Sequence, residues 1–291
     1  MEELTAKTIR KLIPHRAPDG HKGTFGHVFI IGGSTGYSGA PVLAGNGALR
    51  SGVGLITIGV PESLGEVSSM GLLEAMTFPL AETKEGTLTM AALEATTEFA
   101  AENDAAVIGP GLSLHGRTQQ YIVKFIEQCR APLVIDADGL NALSKGTDCV
   151  SNRKYETVLT PHPGEMARIL HTATKDVVER TEECALSVAS QLNSTVVLKG
   201  HRTLIAEPDG TLVRNTTGNN GMGSGGSGDV LAGLIGGLLA QGMTGGDASR
   251  LGVYLHGLAG DLAAEYYSQR GMAARDIIHC LPEAWLQLEQ D

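Results

Sequence analysis

The residues best suited to chemistry lie in a glycine-rich stretch that ends directly at an acidic residue. Residues 218–228 contain six glycines and nothing larger than Met222, and Asp229 comes next. Glycine lets the backbone approach a ligand closely, and successive free N–H groups form a concavity that binds anions. Because the apolar run 230–240 predicts a helix beginning near Asp229, the helix N-terminus adds further donors there. A carboxylate would repel a phosphate at this place, so we interpret Asp229 as a general base beside an anion hole.

Simpler interpretations of the same stretch exist. Asp229 could be no more than an N-cap of the helix, which is the commonest reason for an Asp at a helix start. The glycines could be no more than a flexible linker. A linker would not be followed by a strongly apolar helix, and a cap does not require the other glycines. Gly221, Gly223 and Gly226 match the dinucleotide pattern Gly-x-Gly-x-x-Gly, but no strong apolar strand leads into them. A Walker-type loop is excluded because its Lys is missing.

Composition excludes several classes of protein. The 291-residue chain has a net charge of −10, so we expect neither a nucleic-acid-binding nor a membrane-binding surface. Any anionic ligand must be held by backbone amides, a few Lys or Arg side chains and metal ions. The four cysteines form no Cys-x-x-Cys pair and the N-terminus lacks the apolar segment of a signal peptide, which predicts a cytoplasmic protein. The longest apolar run, residues 230–240, is too short to span a bilayer.

Short apolar runs alternate with helical patterns along most of the chain. Their continuous Val, Ile and Leu content is typical of strands that are buried on both faces. The pattern predicts one α/β domain over residues 1–291, with a mainly parallel central sheet and helices on both faces. A hairpin and an all-helical C-terminal third are expected to follow. The strand-like runs are residues 27–32, 54–60, 105–108, 133–136, 157–160 and 195–199; the helical patterns are 40–50, 90–102, 118–129 and 176–192; the hairpin strands are 203–206 and 212–214; the helical third is 229–288.

Chemically informative residues follow the predicted strands. In open α/β sheets, ligands bind beyond the carboxyl ends of the strands. Any one of these segments could be ordinary turn chemistry, but all of them would converge with the glycine-rich loop on one rim of one sheet. This convergence indicates a single site. The segments are residues 33–40, 109–111, 136–141, 161–165 and 199–203.

Six motifs follow one another along the chain. They are Gly-Gly-Ser-x-Gly-Tyr-Ser-Gly-Ala (32–40), Ile-Gly-Pro-Gly-Leu (108–112), Asp-Ala-Asp-Gly-Leu-Asn (136–141), Thr-Pro-His-Pro-Gly-Glu (160–165), Leu-Lys-Gly (198–200) and Gly-Ser-Gly-Asp-Val-Leu-Ala-Gly (226–233). This combination resembles the ribokinase-like superfamily, and within it the ADP/ATP-dependent NAD(P)H-hydrate dehydratases. The resemblance covers about residues 20–285. Other dehydratases of the family carry a fused epimerase domain, and the length of this chain is what we expect of the stand-alone form.

The resemblance implies roles for individual residues. Asp229 matches the acid that deprotonates the substrate hydroxyl in the kinase relatives, and Glu165 matches a Glu that organises magnesium and water there. Those kinases usually have Asn where this chain has His162, and this departure favours a dehydratase. Asn219-Asn220 and the segment 222–224 also depart from the usual loop but keep its glycine spacing. Substrate-binding positions are matched by Ala40, Gly111, His162 and Asp229, and nucleotide-binding positions by Lys199, Gly200, His201, Arg202, Thr203, Gly225, Gly226, Ser227 and Gly228.

The resemblance also implies a reaction. The substrate would be the S-epimer of NADH or NADPH carrying water across the nicotinamide C5–C6 bond, and ADP or ATP with Mg²⁺ would be the phosphoryl donor. Phosphorylation of the C6 hydroxyl makes it a good leaving group, which the lone pair of the ring nitrogen can expel. Bacterial stand-alone members favour ADP, so we expect ADP. The family also implies a homo-oligomer, with a tetramer expected.

Three other functions remain open at the level of sequence. The first is a small-molecule kinase of the same superfamily, of the hydroxyethylthiazole type, which would release a stable phosphorylated product. The second is a nucleotide sensor without catalysis, against which the intact Asp229 argues. The third is a nicotinamide-linked dehydrogenase, but the first strand lacks the glycine pattern and the acid that this class requires.

Overall fold

A computed structural model describes residues 1–290 and contains one ten-stranded sheet. The order across the sheet is β1-β10-β9-β8-β7-β6-β5-β2-β3-β4, and the seven strands from β8 to β4 in that order are parallel. β9 is antiparallel to both of its neighbours. The strands are β1 (Glu2–Glu3), β2 (His27–Ile31), β3 (Leu55–Pro61), β4 (Met76–Leu80), β5 (Ala105–Ile108), β6 (Leu133–Ile135), β7 (Thr157–Leu159), β8 (Thr195–Leu198), β9 (Leu204–Ala206) and β10 (Leu212–Arg214).

Helices cover both faces of the sheet, and 3-10 turns lie at Glu62–Leu64, Met90–Ala92, Leu143–Lys145 and Asn220–Met222. The α-helices are α1 (Ala6–Arg10), α2 (Gly39–Leu49), α3 (Gly65–Gly71), α4 (Leu93–Ala101), α5 (Gly116–Gln128), α6 (Asp138–Ala142), α7 (Asp148–Ser151), α8 (Pro163–Ile169), α9 (Thr174–Glu179), α10 (Thr181–Leu192), α11 (Ser227–Ala240), α12 (Gly245–Gly271) and α13 (Ala274–Gln290).

Two hydrophobic cores lie on the two sides of the sheet. Successive side chains of a strand point to opposite faces, so β2 contributes Val28 and Ile30 to one core and Phe29 and Ile31 to the other. The first core contains α2, α11, α12 and α13, and the second contains α5 and α10. This arrangement explains why the central parallel strands are mostly apolar.

The predicted fold class is confirmed. All six predicted strands, the hairpin and the helical C-terminal third are present, with ends that differ by a few residues. The helix predicted over 176–192 is wrong as one element: α9 and α10 meet at Arg180, whose backbone (φ −129°, ψ 43°) is not helical. β1 and β4 were not predicted. They lie at the two edges of the sheet, where Glu2, Glu3 and Met76 are exposed and the sequence lacks a buried strand's character.

The order of the strands places a crevice at the carboxyl end of β2. From β2 the chain first builds β3 and β4 on one side, and then crosses to β5 and β6 on the other. The loops after β2 and β5 therefore diverge at a topological switch point, where open α/β sheets bind ligands. Two hydrogen bonds hold these loops together: Gly33 N–H donates to Pro110 O (2.8 Å), and Ser34 Oγ donates to Gly111 O (2.7 Å).

Close packing of α11 against α2 sets the position of the glycine-rich loop. A Cβ on Gly233 would lie 1.8 Å from the carbonyl oxygen of Ala44, and a Cβ on Gly47 would lie 2.2 Å from that of Val230. Glycine at both places lets the two backbones touch, which brings the N-terminus of α11 to the switch point. No helix within residues 1–290 is long and apolar enough to cross a membrane.

Candidate active site

The loop before α11 presents backbone amides that have no internal partner. Gly226 adopts a left-handed conformation (φ 94°, ψ −17°) and starts the helix, and Val230 N–H donates to its carbonyl. Within residues 1–290, the amides of Gly225, Gly226, Gly228 and Asp229 have no hydrogen-bond acceptor. These four N–H groups, the candidate anion hole, lie at the positive end of a 14-residue helix, where free donors and the helix dipole favour a negatively charged ligand.

Asp229 lies in the first turn of α11 and is half-buried. Burial raises the pKa of its carboxyl to about 7, the negative charge of Asp136 adds to the shift, and the ammonium of Lys199 opposes it. A group whose pKa lies near the working pH is well matched to accept and release a proton. The geometry and the electrostatics of Asp229 therefore fit a general base.

Lys199 connects the ends of three parallel strands. Its Nζ lies 2.7 Å from Oδ1 of Asp136, which follows β6, and 3.9 Å from Oε2 of Glu165 in α8, which follows β7. Thr160 Oγ1 donates to the same Asp136 oxygen at 2.8 Å. Burial alone would lower the pKa of Lys199, but the two carboxylates outweigh it and raise the pKa above its ordinary value. Lys199 is therefore a permanent cation at the carboxyl edge of the sheet.

The ammonium also lies beside the anion hole. A Cβ on Gly228 would be 3.3 Å from Lys199 Nζ and 4.0 Å from Oδ2 of Asp136. Glycine at this place leaves room for the cation next to the first turn of α11. Lys199 and the free amides can therefore contact the same anion.

His162 and Glu165 cap the N-terminus of α8. His162 Nδ1 accepts hydrogen bonds from the amides of Gly164 (2.9 Å) and Glu165 (3.3 Å), while Glu165 Oε2 accepts from His162 N–H (2.8 Å). Burial lowers the pKa of His162, and Lys199 lowers it further, so the imidazole is neutral. Burial raises the pKa of Glu165 to about 7 against the opposing charge of Lys199. His162 is half-exposed and lines the adjoining pocket, so a role in binding is compatible with its role as a cap.

A pocket of about 640 Å³ opens beside Lys199. Seven of the nine predicted nucleotide-binding residues line it, while Gly225 and Gly226 do not. Apolar walls are added by Met222, Leu231 and Val253. The seven are Lys199, Gly200, His201, Arg202, Thr203, Ser227 and Gly228.

Another groove of about 620 Å³ lies near the amino ends of β5, β6 and β7, away from the chemistry. Its Arg153 donates to the carbonyls of Ile126, Cys129 and Ala131, so this cation is committed to the fold.

Ala40 and Gly111 lie together at the switch point. A Cβ on Gly111 (φ 65°) would come within 3.0 Å of the Ala40 Cβ and 2.8 Å of the Tyr37 carbonyl oxygen. A Cβ on Gly226 would touch Leu43, which is on the same helix as Ala40. Ala40 and Gly111 therefore contact each other at the switch point, and Gly226 of the glycine-rich loop packs against the same helix, α2.

Asp136, Thr160 and Asp138 belong to the site but received no role from the sequence. Asp138 accepts a hydrogen bond from Ser113 N–H (2.8 Å) and raises the pKa of Asp229 after burial and Asp136. Between the two aspartates, Ala137 has φ 47° and ψ −117°, a conformation that non-glycine residues rarely adopt. The motif Asp-Ala-Asp could have indicated a role for these two aspartates. The sequence alone does not show that their carboxylates have different partners, Lys199 for Asp136 and Ser113 for Asp138.

The acidic residues around Lys199 are the candidates to hold the Mg²⁺ that the resemblance implies. Within residues 1–290, no three His, Cys, Asp or Glu side chains are arranged to hold a metal ion directly. Mg²⁺ commonly keeps several waters and binds through one or two carboxylates together with substrate phosphates. Glu165, whose negative charge contributes to raising the pKa of Asp229, fits such an indirect site.

Known proteins resemble this chain over nearly its whole length. A family model described as NAD(P)H-hydrate dehydratase matches residues 28–283. An ADP-dependent (S)-NAD(P)H-hydrate dehydratase from Bacillus subtilis is 35% identical over 285 residues, covering 98% of both chains. A bifunctional NAD(P)H-hydrate repair enzyme from Moorella thermoacetica is 44% identical over 99% of this chain, which spans 54% of that protein. The chain thus spans about half the length of the bifunctional relatives it matches.

Solved structures give the same result. The crystal structure of an ADP/ATP-dependent NAD(P)H-hydrate dehydratase from Bacillus subtilis, co-crystallised with ATP and Mg²⁺, superposes with a TM-score of 0.84 at 31% identity and covers 99% of this chain and 98% of that one. A hydroxyethylthiazole kinase from Pyrococcus horikoshii has a TM-score of 0.61 at 18% identity, covering 96% of this chain and 91% of that one, and shares the fold alone. This chain belongs to the NAD(P)H-hydrate dehydratase family.

Proposed function

We propose that this protein dehydrates the S-epimer of hydrated NADH or NADPH, using ADP or ATP as phosphoryl donor. The observation that carries the proposal is the position of Asp229. Its carboxyl, with a pKa of about 7, follows directly after an anion hole of free amides and lies within the field of Lys199. A base and a phosphate site side by side are the elements that phosphoryl transfer to a hydroxyl needs.

In the first step the C6 hydroxyl oxygen attacks the terminal phosphorus of the nucleotide. Asp229 takes the hydroxyl proton, the new O–P bond forms, and the bond to the leaving AMP (from ADP) or ADP (from ATP) breaks. The amides of Gly225, Gly226 and Gly228 donate to the transferring phosphoryl group, and Lys199 balances its charge. Donors fixed in place before the reaction stabilise such a transition state without rearrangement.

In the second step the phosphate leaves from C6 with the electron pair of the C–O bond. The lone pair of the ring nitrogen replaces that bond as a C=N bond, and transfer of the C5 proton to solvent water then restores the C5–C6 double bond. The products are NADH or NADPH, inorganic phosphate and the shortened nucleotide. Ala40, Gly111 and His162 would contact the hydrated ring. Ala40 and Gly111 contact each other at the switch point, and His162 lines the same pocket as Lys199.

The nucleotide would occupy the pocket beside Lys199. His201, Arg202 and Thr203 line this pocket next to Lys199 and Gly200, and Leu231 supplies an apolar wall for a base. Mg²⁺, when bound, neutralises nucleotide phosphate charge. Glu165 would hold it through water. We propose ADP as the preferred donor, in keeping with the relatives that are named ADP-dependent.

We propose a homo-oligomer, a tetramer, because Val67, Met70 and Leu73 are 52%, 82% and 84% exposed on and beside α3, next to the edge strand β4. Light scattering at several protein concentrations tests this oligomeric state.

We also propose a cytoplasmic location. It is supported by the four cysteines, all of which are free thiols.

The decisive experiment mixes the purified protein with hydrated NADH, Mg²⁺ and either ADP or ATP. Return of the dihydronicotinamide absorbance together with free phosphate is the expected result. Accumulation of a stable phosphate ester would instead indicate the small-molecule kinase. Only the shared fold of the hydroxyethylthiazole kinase supports that alternative. Nucleotide binding without turnover of hydrated NADH or NADPH would indicate a sensor.

A further inference from the structure

His256 is a buried histidine that faces the phosphate-binding loop. It lies on α12, and its Nε2 is 3.4 Å from Oγ of Ser227, the first residue of α11. Each of the two residues is 7% exposed, and both line the 640 Å³ pocket. Neither the motifs of the sequence nor the chemistry proposed above gives His256 a task.

Ser227 differs from its neighbours in the loop. The amides of Gly225, Gly226, Gly228 and Asp229 are free, whereas Ser227 N–H donates to Ser224 O at 3.4 Å. Ser227 can therefore serve a bound phosphate only through its hydroxyl. A hydroxyl rotates freely unless a partner fixes it, so the direction of its hydrogen depends on what lies at Oγ.

The imidazole of His256 is neutral at neutral pH. Burial lowers its pKa to about 4. A hydrogen bond to the Ser227 backbone opposes this shift, and the nearby ammonium of Lys199 lowers the pKa further. A neutral imidazole carries its proton on one nitrogen only. With the proton on Nε2, His256 donates to Ser227 Oγ and leaves the serine hydrogen free for the pocket. With the proton on Nδ1, Nε2 accepts from Ser227, and oxygen lone pairs face the pocket and repel phosphate.

We propose that His256 is a positioning residue: its Nε2–H donates to Ser227 Oγ and thereby aims the Ser227 hydroxyl at a phosphate oxygen of the adenine nucleotide. This inference rests on the proposed function. The 3.4 Å separation is long for a hydrogen bond, and it shortens when the nucleotide draws Ser227 into place, as contacts in unliganded active sites commonly do.

Mutagenesis tests this assignment. His256→Leu keeps much of the volume but removes both nitrogens, whereas the amide of His256→Gln can still donate to Ser227. Isothermal titration with ADP and with Mg·ATP should show about tenfold weaker binding for His256→Leu and recovery of most of it for His256→Gln, the size of one lost hydrogen bond. The KM for hydrated NADH should stay within about twofold, because Ser227 faces the nucleotide. His279→Gln, an exposed change on α13, is the control and should leave every value unchanged.

A double-mutant cycle distinguishes positioning from packing. If His256 acts through Ser227, the variant with both Ser227→Ala and His256→Leu binds ADP as Ser227→Ala alone does. Effects that multiply would overturn the inference, as would wild-type affinity in His256→Leu.

The nitrogen-15 spectrum of the wild-type protein gives an answer that needs no variant. We expect the Nε2–H tautomer of His256, with a resonance that moves when ADP is added, and an Nδ1–H tautomer overturns the proposal. Failure of the wild type to bind either nucleotide would instead overturn the proposed function.

Discussion

Nζ of Lys199 lies 2.7 Å from Oδ1 of Asp136, although 63 residues separate them in the chain. The Asp136 side chain is 2% exposed and that of Lys199 18%. Two charges that have lost their water are stable only as a pair, and removal of one partner leaves the other buried without compensation. This contact therefore ties the end of β6 to the end of β8 and fixes the cation beside the anion hole.

Asp136→Ala should lower the free energy of unfolding by about 3–5 kcal/mol, because it leaves the Lys199 ammonium to Glu165 at 3.9 Å. Urea denaturation measures the change. Lys124→Ala is the matched control: its pair with Glu127 is also 2.7 Å long, but both side chains are about half exposed, and such pairs contribute under about 1 kcal/mol. Equal losses in the two variants would show that the Lys199–Asp136 pair is no more than a surface contact.

Asp229→Asn should reduce kcat by roughly 10²–10⁴-fold, the contribution typical of a positioned base. Binding of ADP should be retained, because the amide removes a negative charge beside the phosphate site without removing any N–H donor of α11. Steady-state kinetics and calorimetry separate the two effects. Glu94→Gln changes an exposed carboxyl on α4 and is the control: kcat and ADP binding should both stay at the wild-type values. Near-normal turnover of Asp229→Asn would remove Asp229 from the catalytic role.

Stability against pH should carry a signature of Asp229. Its folded pKa of about 7 exceeds the ordinary value of 3.8, so the native state binds the extra proton, and the contribution of Asp229 to stability falls as pH rises from about 4 to 7. Glu165, with a pKa of about 7 against 4.5, acts in the same direction. His256, with its pKa lowered to about 4, acts in the opposite direction below 6.5.

Because these contributions overlap, the difference between wild type and Asp229→Asn isolates that of Asp229. Relative to the wild type, Asp229→Asn should become more stable as pH rises from 4 to 7. Urea midpoints at four or five pH values measure this difference. A difference that does not change with pH would mean that the carboxyl ionises as in water.

The strand-end segments could be predicted from sequence because each strand and its following turn are local features. The partners of Lys199 could not, since Asp136 and Glu165 reach it only through the order β6, β7, β8. The role of His256 could not be predicted for the same reason, because nothing in the residues around it on α12 indicates that it faces Ser227. The edge strand β4, with its exposed Met76, lacks the apolar run by which the central strands were found.

Gly228→Ala should weaken nucleotide binding without harming the fold. The backbone at Gly228 is helical, so an added methyl group favours α11 by up to about 1 kcal/mol. The same methyl group would lie 3.3 Å from Lys199 Nζ, so the ammonium would have to shift by a few tenths of an ångström, away from the phosphate that we expect it to contact. We expect about tenfold weaker ADP binding and an unchanged or higher melting temperature. Gly116 lies in the first turn of α5 with open space around it, so Gly116→Ala should raise the melting temperature and leave ADP binding unchanged.

Ala137→Gly tests whether backbone strain holds the two aspartates apart. Ala137 has φ 47° and ψ −117°, which costs a non-glycine residue about 1–3 kcal/mol, whereas glycine adopts it freely. Relief of this strain should outweigh the roughly 0.5–1 kcal/mol that glycine loses in chain entropy, so the melting temperature should rise slightly. Turnover should fall, because the peptide between Asp136 and Asp138 gains other conformations and Lys199 loses a fixed partner. A variant that is both less stable and fully active would show that Ala137 is relaxed in the native protein.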